Sequence, residues 1–436
     1  MCGIVGYAGE NRAAPILLQQ LKKLEYRGYD SAGIAVLNGG EITVSKISGK
    51  VEALYEKTKD GTLIAGTIGI GHTRWATHGA PTDVNAHPHL SKSGKFAIVH
   101  NGIIENYAEL REELKEKGFE FLSETDTEVI VNLIESYYDG DLKKAVMKAS
   151  SRLNGTYALG VLCVDFPDKI IIARESSPLI IGVGVGCNYY ASDITALISY
   201  TKNVIYLDDG EFAEISADGV EIFDCSGKQI EKQINRISWN VGTAEKGGFA
   251  HFMLKEIMEQ PGVINETISP RIKDGKIVFE GFPISNEKLS KINKIIITAC
   301  GSAYYAGVSG KFAIEKLCRI PVEVCLGSEL RYSDPIIDEN TLTIVVSQSG
   351  ETADTIAAMK ECKKLGSTVI AIVNVVGSTI ARLANYVIYT HAGPEIAVAT
   401  TKGFTTQLAV LYLFATYFAF ATEKITDKDY SALIKE

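Results

Sequence analysis

Met1-Cys2-Gly3-Ile4-Val5-Gly6 opens the chain, and the reading of this run decides the fold of the first half of the protein. Removal of Met1 makes Cys2 the N-terminal residue and joins a thiol and a free α-amine on one residue. A thiol with a pKa near ~8.5 is mostly protonated at neutral pH, whereas an α-amine near ~7.7–8.0 takes up a proton there. One residue then supplies both nucleophile and base. A cysteine that merely follows the initiator is the competing reading, and the stretch up to Glu128 decides between them.

Beyond this run, the first half consists of short strand-like stretches separated by turn residues. Ala32 to Val36 and Glu41 to Ser45 flank Asn38-Gly39-Gly40, and Phe212 to Ile215 and Val220 to Phe223 flank Ala217-Asp218-Gly219, both antiparallel hairpin signals. Helical periodicity covers Ala14 to Leu24, Tyr107 to Lys117 and Thr127 to Tyr138. This mixture predicts an α+β layered domain over residues 2–216. Past residue 286 the pattern changes: Ile295 to Thr298, Thr341 to Val346 and Val369 to Val373 are continuous apolar strands alternating with helices. That is the pattern of a doubly wound α/β domain with a parallel sheet, placed at 286–425. Residues 217–285 are expected to be a linker, with a helix from Ala250 to Ile268 broken at Pro261, and 426–436 to begin a further connection.

Composition narrows the function. The 436 residues carry a formal net charge of −9, which argues against nucleic-acid partners held by a basic surface. Eight cysteines lie scattered with no Cys-x-x-Cys pair, and no basic and apolar leader precedes Cys2, so a reducing, cytoplasmic setting is expected. Phe404 to Thr422 approaches the length of a membrane span, but Thr405, Thr406, Gln407 and Thr416 interrupt it. A helix buried in a core or a subunit interface is expected instead of a membrane helix.

Four stretches bear on Cys2. Gly71 to Gly79 (GHTRWATHG) presents Arg74, suited to a carboxylate. Asn101-Gly102 offers a side-chain amide and a backbone N–H, the donor types of an oxyanion hole. Asp126, in Thr125-Asp126-Thr127, offers an acid for an ammonium group. Taken one at a time, Asp126 reads more readily as a helix N-cap, Asn101-Gly102 as a turn and Arg74 as a surface ion pair. His87-Pro88-His89 lacks a third ligand at metal spacing, so no metal is expected.

Cys2-Gly3-Ile4-Val5-Gly6, Tyr26 to Gly33 (YRGYDSAG), HTRWATHG, VHNGIIEN and SETDTE resemble the class II, N-terminal nucleophile glutamine amidotransferases. In order and spelling they are most similar to the isomerising glutamine:fructose-6-phosphate aminotransferase family, over residues 2 to about 424. The resemblance implies a four-layer αββα glutaminase domain in which Cys2 attacks the glutamine amide and Asn101 and Gly102 form the oxyanion hole. It assigns Arg74 to the α-carboxylate and Asp126 to the α-amino group, with Trp75, Thr77 and His78 in the same glutamine-site motif.

In the second half, Ser347 to Thr355 (SQSGETADT) follows an apolar strand and puts hydroxyls and backbone N–H groups at the mouth of a helix, a phosphate site that needs no basic surface. A capping motif is the plainer reading of such a turn. No Gly-x-Gly-x-x-Gly stands at these strand ends, which weakens a dinucleotide reading. SQSGETADT resembles the sugar isomerase (SIS) signature of the same family. That implies phosphosugar contacts at Ser302, Ser347, Gln348, Ser349, Thr352, Val398 and Thr400. Ala303 stands where many members carry serine, which removes one hydroxyl.

The resemblance further implies L-glutamine and fructose 6-phosphate as substrates, glucosamine 6-phosphate as product for amino sugar synthesis, no cofactor, and a homodimer formed through the SIS half. Family members carry a second SIS domain that supplies the isomerisation residues. This chain is therefore expected to be truncated, hydrolysing glutamine with an incomplete isomerase. The competing expectations are another class II amidotransferase, whose pyrophosphate or ATP loop is not found, and a sugar-phosphate-binding regulatory module without synthase activity.

Overall fold

A computed structural model describes residues 2–76, 79–237, 246–280 and 282–436. The chain divides into two compact units, Met1–Val241 and Gly242–Glu436.

The first unit is built on two antiparallel sheets. In the eight-stranded sheet the neighbours run Asn235–Arg236, Asn203–Tyr206, Ile180–Val183, Cys187–Ala191, Gly3–Gly9, Ile68–Arg74, Ser31–Asn38, Glu41–Ser48. In the seven-stranded sheet they run Gln229–Ile230, Val220–Phe223, Phe212–Ile215, Ile170–Glu175, Gly155–Cys163, Phe96–Ile104, His89–Leu90. Successive side chains of a strand point to opposite faces, and here both faces are covered. Ile4 and Ala8 pack with Ala97, Val99, Ala158 and Ile172 between the sheets, while Val5 and Tyr7 pack with Leu17, Leu18 and Leu21 of helix Ala13–Leu24. Phe96 and Ile98 turn the other way, onto Val129, Ile130 and Leu133 of helix Asp126–Tyr137. The layers are helix, sheet, sheet, helix, the αββα order the resemblance implies.

The second unit holds a parallel five-stranded sheet in the order Val322–Leu326, Lys294–Ala299, Thr341–Ser347, Thr368–Val373, Tyr386–Tyr389. Ile295, Ile297, Ile344 and Ile372 face helices Ser302–Cys318 and Lys402–Ala421, while Val345, Val369 and Ala371 face Ile356 and Met359 of helix Ala353–Lys364. This is the doubly wound α/β domain expected from the apolar strands.

The expected boundaries do not hold. Phe212–Ile215 pairs with Val220–Phe223, so a domain edge at 216 would cut a hairpin. Asn203 and Val204 also pair with Asn235 and Arg236, which keeps the chain in the first unit through Arg236. From the other side, Ile277, Phe279, Phe282 and Ile284 are buried in the core of the second unit. Residues 426–436 belong there too. Helix Asp427–Lys435 starts with a Thr426/Asp429 capping box, and its buried Tyr430 stacks on Phe420 with ring centroids 4.0 Å apart.

The helix expected to break at Pro261 runs unbroken over Phe252–Ile268. Proline lacks an N–H for the carbonyl four residues back, and here the side-chain amide of Gln260 donates to that Ile257 carbonyl at 3.1 Å. Helix Lys402–Ala421 is long and apolar enough to cross a membrane by length and composition. Val410, Leu411, Phe414 and Phe418 spend that apolar surface on the core of the second unit, as expected of a buried helix.

Candidate active site

Cys2 immediately precedes strand Gly3–Gly9, whose Gly3 pairs with Thr73 of strand Ile68–Arg74. This register sets the thiol beside the end of the neighbouring strand. The Trp75 N–H donates to Cys2 Sγ at 3.3 Å, and Sγ lies 3.4 Å from the Trp75 carbonyl oxygen. From the other sheet, the Asn101 side-chain amide donates to the Cys2 carbonyl at 3.1 Å.

Gly102 follows Asn101 with φ +135°, and a Cβ there would stand 1.9 Å from the Thr156 carbonyl oxygen. Only glycine fits that backbone. Two residues further along the same strand, the Ile104 N–H donates to Asp126 Oδ2 at 2.9 Å. Strand Phe96–Ile104 therefore carries both proposed oxyanion donors and the anchor of the acid.

Asp126 is the first residue of its helix and not the N-cap. Thr125 is the N-cap and accepts from the Glu128 N–H at 3.3 Å. Glu128 in turn accepts from the N–H groups of Leu122 and Ser123 at 2.8 and 2.6 Å, so the SETDTE run is held by its own side chains. The cap requirement is met without Asp126, leaving its carboxylate for another task.

Arg74 is 3% exposed and its guanidinium donates to the carbonyls of Gly79 and Ala80 at 3.1 and 3.2 Å. Burial lowers its pKa, opposed by the charges of Cys2, Asp126 and Asp30. Cation, thiol and acid thus lie within reach of one another's fields. Trp75 is 43% exposed and meets Tyr29 edge-on, with ring centroids 5.2 Å apart. Thr77 and His78 lie outside the described residues. Asp30 supports the strand end in a way the sequence did not signal: its carboxylate accepts from the Ala76 N–H at 2.9 Å and its own N–H donates to the Arg74 carbonyl at 3.0 Å.

Buried histidines line the layer beneath. His72 and His87 stack with ring centroids 4.0 Å apart, and His72 Nε2 meets the His100 carbonyl at 3.0 Å, so Nε2 is the protonated nitrogen. Burial pushes His72 down to about 3 and His87 and His89 well below the ordinary imidazole range. These rings are neutral at pH 7. Among the described residues, no three His, Cys, Asp or Glu side chains group as metal ligands.

The second unit has its own candidate site. The chain leaves strand Lys294–Ala299 toward one side of the sheet, to Val322–Leu326, and returns to the other side as Thr341–Ser347. In an open parallel sheet, ligands bind outside the strand ends where the order reverses in this way. The turns that leave strands Lys294–Ala299 and Thr341–Ser347 each lead into a long helix, Ser302–Cys318 and Ala353–Lys364. Ser347 Oγ accepts from the Gly350 N–H at 3.0 Å, Ser349 Oγ accepts from the Glu351 N–H at 3.2 Å, and the Thr352 hydroxyl makes no capping bond to its own helix.

Thr400 joins this group. A Cβ on Gly403 would stand 2.9 Å from Thr400 Oγ1 and 3.1 Å from Gln348 Cγ. The N-terminus of helix Lys402–Ala421 is occupied by the chain's own Glu395, which accepts from the N–H groups of Thr401 and Gly403 at 2.8 and 3.1 Å and from the Thr400 hydroxyl at 2.7 Å. Val398 is 83% exposed, and its apolar side chain leaves only backbone groups for polar contact. Ala303 is buried at the second position of its helix.

Comparison with known proteins agrees with this two-part layout. A family described as glutamine amidotransferase domain matches residues 44–239, and one described as SIS domain matches residues 288–417. The chain is 58% identical over 420 residues to the glutamine–fructose-6-phosphate aminotransferase (isomerizing) of Caldanaerobacter subterraneus subsp. tengcongensis, covering 96% of this chain and 69% of that one. It is 54% identical over 430 residues to the enzyme of the same name from Clostridium acetobutylicum, covering 98% and 71%. A solved C-terminal domain of glucosamine-fructose-6-phosphate aminotransferase from Francisella tularensis is similar over 44% of this chain and 54% of that chain, at 38% identity and a TM-score of 0.42. With a glutamine amidotransferase domain, an SIS domain and relatives of this identity along nearly its whole length, the chain belongs to the isomerizing glutamine–fructose-6-phosphate aminotransferase family.

Proposed function

We propose that this chain releases ammonia from L-glutamine at Cys2 and binds fructose 6-phosphate in its second unit, the two substrates from which its family makes glucosamine 6-phosphate, with glutamine hydrolysis as the activity of the chain itself. The observation that carries the reading is the meeting of Cys2, Arg74, Asn101 and Asp126 at one end of the first unit's two sheets.

Arg74 takes the α-carboxylate of glutamine and Asp126 its α-ammonium. The Cys2 thiolate attacks the side-chain amide carbon, a C–S bond forms, and the carbonyl electron pair moves to oxygen. The Asn101 side-chain amide and the Gly102 N–H donate to that oxyanion, the role that is commonly the largest single contribution to acyl transfer. Collapse breaks the C–N bond, and the leaving ammonia carries the proton held by the Cys2 α-amine. Water then attacks the thioester, the amine takes its proton, and glutamate leaves with the thiol restored. In the second unit, Ser302, Ser347, Gln348, Ser349, Thr352, the Val398 backbone and Thr400 hold the phosphosugar, with two helix N-termini facing the phosphate charge. No cofactor is invoked.

Glutamate release by the purified chain, measured beside fructose 6-phosphate binding by calorimetry, tests both halves. Cys2→Ala is expected to abolish glutamate release and leave sugar-phosphate affinity within about twofold. Glutaminase activity surviving in that variant would sink the nucleophile assignment.

We further propose that two copies pair through the second unit. Tyr305 and Phe312 stand seven residues apart on one face of helix Ser302–Cys318 and are 65% and 67% exposed, an apolar face suited to burial. Light scattering is expected to give twice the mass of one chain; a single-chain mass at micromolar concentration counts against it.

A further inference from the structure

We propose that Asn85 is a positioning residue for glutamine recognition, its side-chain amide setting the distance between Arg74 and Asp126. This rests on the reading of those two residues as the partners of the α-carboxylate and α-ammonium.

Asn85 is buried, 4% exposed. Its Nδ2 donates to the Ala80 carbonyl at 3.0 Å and to Glu124 Oε2 at 3.2 Å, and its Oδ1 accepts from the Glu124 N–H at 3.0 Å. The amide nitrogen faces two oxygens and the amide oxygen faces an N–H, so the partners fix which way the group points. Ala80 O is also an acceptor for Arg74 Nη1, at 3.2 Å. Glu124 lies two residues before Asp126. One side chain therefore bonds, through its nitrogen, the carbonyl that holds the guanidinium and, through its oxygen, the backbone leading to the acid.

The segment around Asn85 is fastened on its far side as well. Lys46 Nζ donates to the carbonyls of Val84 and Ala86 at 3.0 and 2.7 Å, and Asp83 Oδ1 accepts from the Ser48 N–H at 2.6 Å. Burial lowers the Lys46 ammonium to about 8, against the opposing charges of Glu128 and Asp83. It sits in a fitted slot and is not a loose surface cation. The chemistry explains the need for such bracing: the carboxylate and ammonium of glutamine leave the same carbon, so a ligand held by both tolerates little error in the spacing of their partners.

Asn85→Asp keeps the size of the side chain and sets an oxygen against Ala80 O and the Glu124 carboxylate. A competitive ligand that lacks the α-amino group, glutaramate, uses Arg74 and the amide end of the site and makes no demand on Asp126. KM for glutamine is expected to rise about tenfold while the inhibition constant of glutaramate changes less than about twofold and kcat stays within about threefold. Equal rises for both ligands, or none, overturn the proposal, as they indicate general packing or no role. If the variant does not fold by circular dichroism, Lys46→Met is assayed in the same way. A selective rise of about threefold supports the proposal there, and a parallel or null result overturns it. Cys2→Ala separates the two levels: if it remains active the underlying reading falls, whereas an inactive Cys2→Ala with an unselective Asn85→Asp removes only the role of Asn85.

Discussion

Among single residues, Asp126 shows how a local rule can be satisfied by a neighbour. The N-cap duty that its position suggests is performed by Thr125, and the Asp126 carboxylate is held by an N–H of the adjacent strand. Asp126→Asn preserves the volume and an oxygen for the Ile104 N–H but removes the charge. A hydrogen bond to a charged group contributes about 1.5–3 kcal/mol, so KM for glutamine is expected to rise on the order of ten- to hundredfold with kcat nearly unchanged. Steady-state kinetics with a thermal melt alongside decides it: a lowered melting temperature with unchanged KM would mark a structural carboxylate instead. Cys2, Arg74, Asn101 and Asp126 were legible as candidates because each sits in a long, specific run of sequence. Asn85 and Lys46 were not, and Asp30 had no role signalled although it sits in the YRGYDSAG run, since all three work largely on backbone N–H and carbonyl groups, which every residue carries.

Among the secondary-structure elements, the strands of the first unit were legible from the turn residues between them, and those of the second because covering both faces of a parallel sheet makes their sequences continuously apolar. Thr341 to Val346 appears in the structure as strand Thr341–Ser347, and Val369 to Val373 as strand Thr368–Val373. Helix Phe252–Ile268 was misread at Pro261, because the compensation comes from a side chain one position earlier and no periodicity records it. The same helix does more than connect. Its buried Glu256 accepts from the N–H groups of Ile396 and Ala397 at 2.6 and 3.0 Å, and Glu259 pairs with the buried Lys402 at 2.7 Å. Carboxylates from a stretch expected to be linker thus hold the segment that carries Val398 and Thr400.

Across the molecule, each unit closes its own core, and their acid responses are expected to differ. His72, His87 and His89 of the first unit have folded pKa values depressed below the unfolded value near ~6.5. For a group with a depressed folded pKa, the unfolded chain binds more protons below the unfolded pKa. Its contribution is full above about 6.5 and is lost as pH falls toward the folded value, at about 1.4 kcal/mol per unit. For His72 that window runs down to about 3. In the second unit, His391 is the described histidine whose pKa is lowered. Calorimetry from pH 7 to pH 5, with transitions assigned by proteolytic fragments, should show the first unit's melting temperature falling further than the second's. Equal shifts would count against a role for the histidine layer.

Residue type, periodicity and runs of fixed spelling were enough to establish the class of each half and to point to a candidate nucleophile and candidate residues for the two ends of a substrate. That the first unit continues past 216, through Arg236, came only with the folded chain, because strand pairing joins residues that are distant in sequence. So did the identity of the groups that brace the site. Asn85 reaches Ala80 and Glu124 only after the chain has folded the segment before strand His89–Leu90 against the turn before helix Asp126–Tyr137, and hydrogen bonds to backbone leave no signature in the residues that receive them.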